Sequence, residues 1–121
     1  MTLDSIEQFN QFLKPMNVQV KLVSGAGQDF KSFNKNQRIT ILALVLKQIE
    51  KNPLLRPDGN GIPLHGPLRG FAKIKSKSTS LRIVYKPVVI GNIIELQVIA
   101  IGPRDHDDVY RKAIHRLLNR Q

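Results

Sequence analysis

The chain has 121 residues, of which 41% are hydrophobic and 23% are charged, a composition typical of one globular domain with a buried core. The chain contains nineteen lysines and arginines but only nine aspartates and glutamates, which gives a net charge of +10. This excess predicts a polyanionic partner, with nucleic acid as the first candidate and an acidic protein or a membrane surface as the second. The absence of cysteine excludes a disulfide framework and thiolate zinc sites.

Targeting signals are not evident in the sequence. The N-terminus MTLDSIEQFN has neither the basic region nor the apolar region of a signal peptide. The longest apolar run, ITILALVL at residues 39–46, is much shorter than the ~20 residues that a membrane span needs. We therefore expect a cytoplasmic protein that does not contact a membrane.

The first part of the chain predicts helices around one strand. Ile6, Phe9 and Leu13 share a helical face, and Asp4 with Glu7 resembles a capping box. VQVKLV alternates like a strand, whereas the ITILALVL run lies on a helix with a broad apolar stripe, typical of a core helix. The elements predicted here are helix 4–13, strand 18–23, helix 27–34, and a longer helix that begins near Asn34 or Asn36 and ends near Lys51.

The second part predicts a meander of strands. Residues 52–70 contain four prolines and four glycines and predict a long loop. The elements predicted after it are strands 71–76, 81–87 and 92–101, and a helix over 107–119 that Asp105 or Asp107 could cap. Helices followed by such strands predict an α+β fold, with helices on one face of a mostly antiparallel four-stranded sheet. We expect one domain over residues 1–121, with residues 1–17 as an N-terminal extension.

The segment KIKSKSTSLRIVYK, residues 73–86, predicts a hairpin with two different faces. Alternate residues of a strand point to opposite sides, so a tight turn at its centre pairs Ile74 with Ile83 and Lys75 with Arg82. One face is then mainly apolar. The side chains predicted on the other face are Lys73, Lys75, Lys77 and Arg82, together with Val84.

Two interpretations of this cationic side are open. Like charges placed directly opposite each other destabilise a sheet, and a solvated face could have used mixed signs. No acidic residue occurs between positions 58 and 95. This favours an anion-binding site over an ordinary wet sheet face.

A second group of functional side chains follows the last predicted strand, in IGPRDHDDVY. Arg104, His106 and Tyr110 stand where a strand ends and a helix begins, a common position for functional groups on a rigid scaffold. Each has an ordinary structural interpretation as well. Arg104 could pair with a nearby aspartate, and Tyr110 could anchor the helix in the core.

These motifs together resemble the RelE branch of the RelE/ParE toxin superfamily, over residues 18–118. The resemblance is carried by KIK, by LRIVY, by IGPR with a tyrosine six residues beyond its arginine, and by PLHGPLRGFAKIK as the loop before the hairpin. It implies a RelE-like fold: a sheet with an N-terminal helical pair packed on it and a C-terminal helix. The helix predicted within residues 1–17 would be additional, and we expect it to pack on the core.

The same resemblance implies the toxin of a type II toxin–antitoxin system. Such a toxin is a ribosome-dependent endoribonuclease that cleaves mRNA in the aminoacyl site and inhibits translation. Its implied partners are a cognate antitoxin, mRNA and ribosomal RNA, with operator DNA bound only through the antitoxin complex. No cofactor and no metal are implied.

Site residues follow from the resemblance by position. The implied catalytic residues are Lys73, Lys75, Arg82, Arg104 and Tyr110. We further assign three residues to RNA binding: Lys77, Lys86 and His106. Arg82 is suited to stabilising the phosphate, because a guanidinium stays charged and can donate to two phosphate oxygens. Lys73 and Lys75 would orient the RNA and stabilise charge, with one of them a candidate base, and Tyr110 would stack on or orient a nucleobase.

Two other functions remain as alternatives. A ParE-like protein shares the fold but inhibits DNA gyrase, and generally lacks the lysine pair and the strand-end arginine with its tyrosine. A non-catalytic basic protein that binds RNA or DNA would show the same charge. RNA cleavage distinguishes the expected nuclease from both.

Overall fold

The structure is a computed structural model and describes residues 5–76, 78–103 and 105–119, with only the backbone of His106. Lys77 and Arg104 of the predicted site lie outside the described residues, as does Asp4. The helices are α1 (Ile6–Leu13), α2 (Ala26–Ser32), α3 (Lys35–Glu50) and α4 (Asp108–Leu118). The strands are β1 (Val18–Leu22), β2 (Ile62–Pro63), β3 (Ala72–Lys75), β4 (Leu81–Ile90) and β5 (Ile93–Pro103).

The strands form one sheet in the order β1-β5-β4-β3-β2. β1 runs parallel to β5, and the other pairs are antiparallel. The α+β class is confirmed, but the expected four strands are five. The additional strand, β2, pairs Ile62 with Lys73 and Pro63 with Ala72. A proline lacks the amide that a second neighbour would need, which suits this outermost position.

Both faces of the sheet are covered, which corrects the expectation of helices on one face. The larger core lies between the sheet and the first three helices, and the largest side chains that it buries include Phe9, Leu13, Ile41, Ile83, Tyr85 and Leu96. The smaller core lies under α4 and contains Leu68, Phe71, Val84, Ile99, Ala100, Val109 and Ala113. The central strand β5 is buried on both sides, because the first three helices cover one face and α4 covers the other, and residues 98–101 are all buried.

The N-terminal segment packs into the larger core. Phe9 and Leu13 are buried, and the Ser5 hydroxyl accepts a hydrogen bond from the Gln8 amide and caps α1. The Asn10 side chain bonds the backbone of Val20 twice, donating to its carbonyl at 2.9 Å and accepting from its amide at 2.8 Å. Asn10 therefore occupies part of the outer edge of β1, where a further strand would otherwise pair.

The helix ends agree with the prediction in part. At the start of α3, Asn34 and Gln37 form a reciprocal capping box. At the start of α4, Asp107 holds the N-cap position with a left-handed backbone, φ 59°, but its side chain makes no capping hydrogen bond. The expected carboxylate cap is therefore absent at Asp107, because the backbone reaches the helix through a short 3-10 turn over Asp105–Asp107.

A buried carboxylate completes the free edge of β5 beyond the end of β1. Asp29 accepts a hydrogen bond from the Ile101 amide at 3.0 Å and pairs with Arg116 at 2.7 Å and Lys112 at 3.3 Å. The same two cations donate to the carbonyls of Ile99 and Ile101. Burial alone would raise the pKa of Asp29, but the hydrogen bonds from Arg116 and Ile101 and the two positive charges outweigh it and lower that pKa. We call Asp29, Lys112 and Arg116 the Asp29 cluster.

Candidate active site on the cationic face

The predicted pairing of the hairpin is confirmed. Lys75 lies opposite Arg82, and Ile74 lies opposite Ile83. Ile74 and Ile83 are buried in the larger core, so the lysines and arginine project from the other face. We call Lys73, Lys75, Arg82 and Lys86 the cationic face.

Arg82 is the most enclosed of these cations. It stands on β4 between Lys75 of β3 and Gly102 of β5, and it is only 9% exposed. Its Nη1 donates a hydrogen bond to the Leu81 carbonyl at 2.9 Å. A position between two paired strands fixes the backbone of this arginine, and its enclosure and its hydrogen bond to Leu81 restrict the guanidinium.

The two lysines differ in their surroundings. Lys75 is exposed beside Arg82, whereas Lys73 is half-buried opposite the fully buried Val84. Because α4 covers Val84 and its neighbours, this side of the hairpin is not a uniformly wet surface. The cations form a strip along the outer strands that ends against the smaller core.

Tyr110 is brought to the same strip from a distant part of the sequence. It is half-buried on the first turn of α4 and packs against the smaller core. Burial raises the pKa of its phenol, the adjacent Arg82 guanidinium acts in the opposite direction, and Asp107 adds to the increase. Tyr110 therefore stays protonated at neutral pH and can donate a hydrogen bond beside Arg82.

The remaining predicted residues are less closely gathered. Lys86 is exposed on β4, with its Nζ 5.9 Å from the centre of the Phe71 ring, a cation–π distance. Its positive charge therefore also has a local partner. Arg104, Lys77 and the side chain of His106 are not described. The last residue of β5, Pro103, pairs with Leu81, so the chain leaves the sheet beside the residue that precedes Arg82.

Sequence reasoning missed Ser76 as a residue that shapes the hairpin. Ser76 is 9% exposed, and its hydroxyl accepts a hydrogen bond from the Thr79 amide at 3.1 Å. This contact holds the turn next to Lys75. A serine directly before a tight turn is a recognisable signal, because such hydroxyls commonly bond nearby backbone amides.

The charges of this site are not neutralised within the described part of the chain. The ion pairs found there involve the Asp29 cluster and the exposed pair Arg111–Asp108, and none involves Lys73, Lys75 or Arg82. Among the same residues no group of three or more metal-ligating side chains occurs. Every described helix is too short or too polar to cross a membrane.

Solved structures with the same architecture exist. A double arginine-to-alanine variant of the E. coli toxin RelE in the free state is 23% identical, with a TM-score of 0.59 over 80% of this chain and 94% of that chain. The isolated E. coli RelE toxin is 22% identical, with a TM-score of 0.55 over 81% of this chain and 96% of that one. This chain has the RelE-like toxin fold.

The comparisons by sequence add nothing to this result. No protein-family model matches the chain, and no curated protein matches it. The RelE structures are covered almost completely, whereas about a fifth of this chain lies outside each match. The RelE-like fold is therefore present with additional chain around it.

Proposed function

We propose that this RelE-like chain is the toxin of a type II toxin–antitoxin system and cleaves mRNA in the aminoacyl site of the ribosome. The observation that carries the proposal is the enclosed Arg82, with Lys75 paired to it and Tyr110 beside it. Three elements supply these groups, and no described carboxylate forms an ion pair with Arg82 or Lys75. An RNA phosphate would provide the missing negative charge.

The chemistry suits cleavage by the RNA's own 2′-hydroxyl. That oxygen bonds to phosphorus, the bond from phosphorus to the 5′-oxygen breaks, and the products are a cyclic phosphate and a 5′-hydroxyl. The reaction needs a base for the 2′-proton, positive charge on the pentacoordinate phosphate, and a proton for the leaving oxygen. No step requires a redox partner.

Each side chain has a role in this scheme. Arg82 stabilises the negative charge that develops on the phosphate oxygens, since a guanidinium stays charged and donates in a fork. Lys73 and Lys75 orient the RNA, and one of them takes the 2′-proton. Tyr110, held protonated, stacks on or orients a nucleobase, and Arg104 contacts the scissile phosphate or assists the leaving group.

Primer extension on a defined message in programmed ribosomes tests the proposal. The purified protein should cut within the aminoacyl-site codon, and an Arg82→Ala variant of the same fold should not. Free RNA of the same sequence should remain intact. Cutting of free RNA would show that the protein is a nuclease whose activity does not depend on the ribosome.

If well-folded protein does not cut the message, the proposed nuclease activity is overturned. Two outcomes would then identify the alternatives. Trapped DNA cleavage complexes with gyrase would support the ParE-like function, and binding of nucleic acid without turnover would support a basic binding protein.

A further inference from the structure

A second concentration of positive charge lies in a groove between the C-terminal half of α3 and the outer edge of β3. Its volume is about 540 Å³. Five basic residues line it: Lys47, Lys51 and Arg56, and on β3 Lys73 and Lys75, whose side chains project from the opposite face of the sheet. Polar side chains add to it: Gln48, Asn60, Ser76 and Ser78. Among the described residues no carboxylate lines this groove.

The edge of β3 provides a backbone donor to the groove. β2 pairs only with Ala72 and Lys73, so the rest of this edge has no neighbouring strand within the described residues. The Ser76 amide donates to the Leu81 carbonyl on β4. Because amides of an antiparallel strand alternate between its two edges, that of Lys75 points away from β4, toward the groove.

Gln48 also lines the groove from α3. Its Nε2 is buried, and its side chain hydrogen-bonds the Tyr85 phenol, which partly offsets the increase that burial causes in the pKa of Tyr85. The donors open to a ligand in the groove are therefore the exposed cations and the Lys75 amide.

Helix electrostatics explains only part of this charge. Lys47 and Lys51 stand at the C-terminal end of α3, where cations interact favourably with the helix dipole. That reason does not apply to Arg56, which comes from the loop, or to the β3 lysines. None of the five cations has a carboxylate partner among the described ion pairs, so the groove presents its charge outward.

We propose that this groove binds the phosphodiester backbone of the RNA strand next to the scissile phosphate. The inference rests on the proposed function, because the strand that carries Lys73 and Lys75 lines the groove while their side chains belong to the cationic face. Neighbouring strands lie about 4.8 Å apart, so an RNA phosphate at Arg82 is one strand away from the groove's rim. RNA carries a charge at every nucleotide and suits cations that come from a helix, a loop and a strand.

Binding of a short 2′-O-methyl RNA, which cannot be cleaved by its own sugar, tests the groove separately from the chemistry. The variant is Lys47→Gln, Lys51→Gln and Arg56→Gln together, and all three side chains are exposed, so the fold should be kept. We expect the affinity, measured by fluorescence anisotropy, to fall about tenfold to a hundredfold. The slope of log K against log salt should decrease by about 0.7 for each phosphate that the variant no longer neutralises.

A matched control removes the same charge elsewhere. The control variant is Lys14→Gln, Lys21→Gln and Lys31→Gln together, at exposed positions that do not line the groove. We expect its affinity for the RNA to fall by less than about threefold, through the reduced net charge alone. An oligoglutamate with as many negative charges as the RNA is titrated into the wild type and both variants.

The outcomes separate this proposal from the proposed function. A selective loss of RNA binding in the groove variant supports RNA binding by the groove, whether or not the protein cuts ribosome-bound mRNA. Equal losses in the two variants, or no RNA binding by the wild type, overturn it. A selective loss for oligoglutamate only also overturns it and assigns the groove to an acidic protein. Cleavage of ribosome-bound mRNA by the wild type is measured independently, so the proposed function would be unaffected in each of those cases.

Discussion

Within the described residues, the Asp29 cluster and the cationic face both gather positive charge on one sheet, and they are built differently. In the Asp29 cluster, Arg116 and Lys112 share one buried carboxylate and also donate to carbonyls of β5. On the cationic face, Lys75 and Arg82 are placed directly opposite each other and have no ion pair within the described residues. The cations of the Asp29 cluster are paired within the protein, whereas Lys75 and Arg82 have no negatively charged partner among the described ion pairs.

This difference explains why net charge alone is a poor guide to function. Both clusters contribute to the excess of lysine and arginine, yet of the two only the Asp29 cluster forms ion pairs among the described residues. Cations that saturate a carboxylate and backbone carbonyls hold the fold together. Cations held close to one another on rigid strands reduce stability and create a positive electrostatic potential that attracts anions.

Removal of the shared carboxylate should have the largest effect on stability. An Asp29→Asn variant leaves two cations beside each other and weakens the bond to the Ile101 amide. Breaking a buried pair in this way costs about 3–5 kcal/mol of the free energy of unfolding, measurable in urea. The control is Asp108→Asn, whose 3.6 Å pair with Arg111 is exposed and is worth less than about 1 kcal/mol. Equal losses would remove the distinction between the two clusters.

Removal of Arg82 should affect activity more than stability. An Arg82→Gln variant is expected to cut ribosome-bound mRNA about 10²–10³-fold more slowly, the usual loss for one charge-stabilising donor. Arg82→Lys keeps the charge but not the fork, so its rate should lie between those of the wild type and the glutamine variant. Lys21→Gln, at an exposed lysine of β1 outside the cationic face, serves as the control. A Lys21→Gln rate as low as that of Arg82→Gln would contradict the assignment.

Acid should act on the protein through the Asp29 cluster. The pKa of Asp29 is lowered in the folded state, so its stabilising contribution is complete above the ordinary value of about 3.8 and is lost as the pH falls below it. Unfolding free energies measured from neutral pH to about pH 2 should decrease less steeply in Asp29→Asn than in the wild type. Identical slopes would show that Asp29 does not carry the acid sensitivity.

Anions should stabilise the cationic face, with the smallest effect of the four. Sulfate at a few times its dissociation constant adds about 1 kcal/mol to the stability of a protein that binds it only when folded. The thermal midpoint of the wild type should rise in sulfate relative to chloride of the same ionic strength. We expect a smaller rise in Arg82→Gln and an unchanged one in Asp29→Asn. A uniform rise in all three would indicate general salting effects.

Local patterns predicted the parts of the structure that depend on neighbours in sequence. The hairpin register followed from strict alternation around one turn, and α3 followed from its apolar stripe and Asn34. The strand β2 was missed because two residues that include Pro63 have no period to detect. The cover on both faces was missed because it depends on α4 packing back onto the face opposite the first three helices, a contact between distant segments of the chain.

The sequence suggested which residues form the candidate site, but it did not predict how they are arranged. The sequence singled out Arg82 and Tyr110, but their proximity depends on α4 crossing the sheet, which no local pattern encodes. The role of Asp29 could not be predicted at all, because its partner Arg116 lies 87 positions away. Its surroundings in the sequence are those of an ordinary helix residue.

The parallel pairing of β1 with β5 has a consequence for how the chain folds during synthesis. Val18 pairs with Ile94, so most of the chain must be made before the centre of the sheet can form. Such distant contacts slow folding and leave strands open to other chains. The contact of Asn10 with Val20, only ten residues apart, can form at once. The nascent chain thus has a local means to occupy part of the edge of β1 while the rest of the sheet is still being translated.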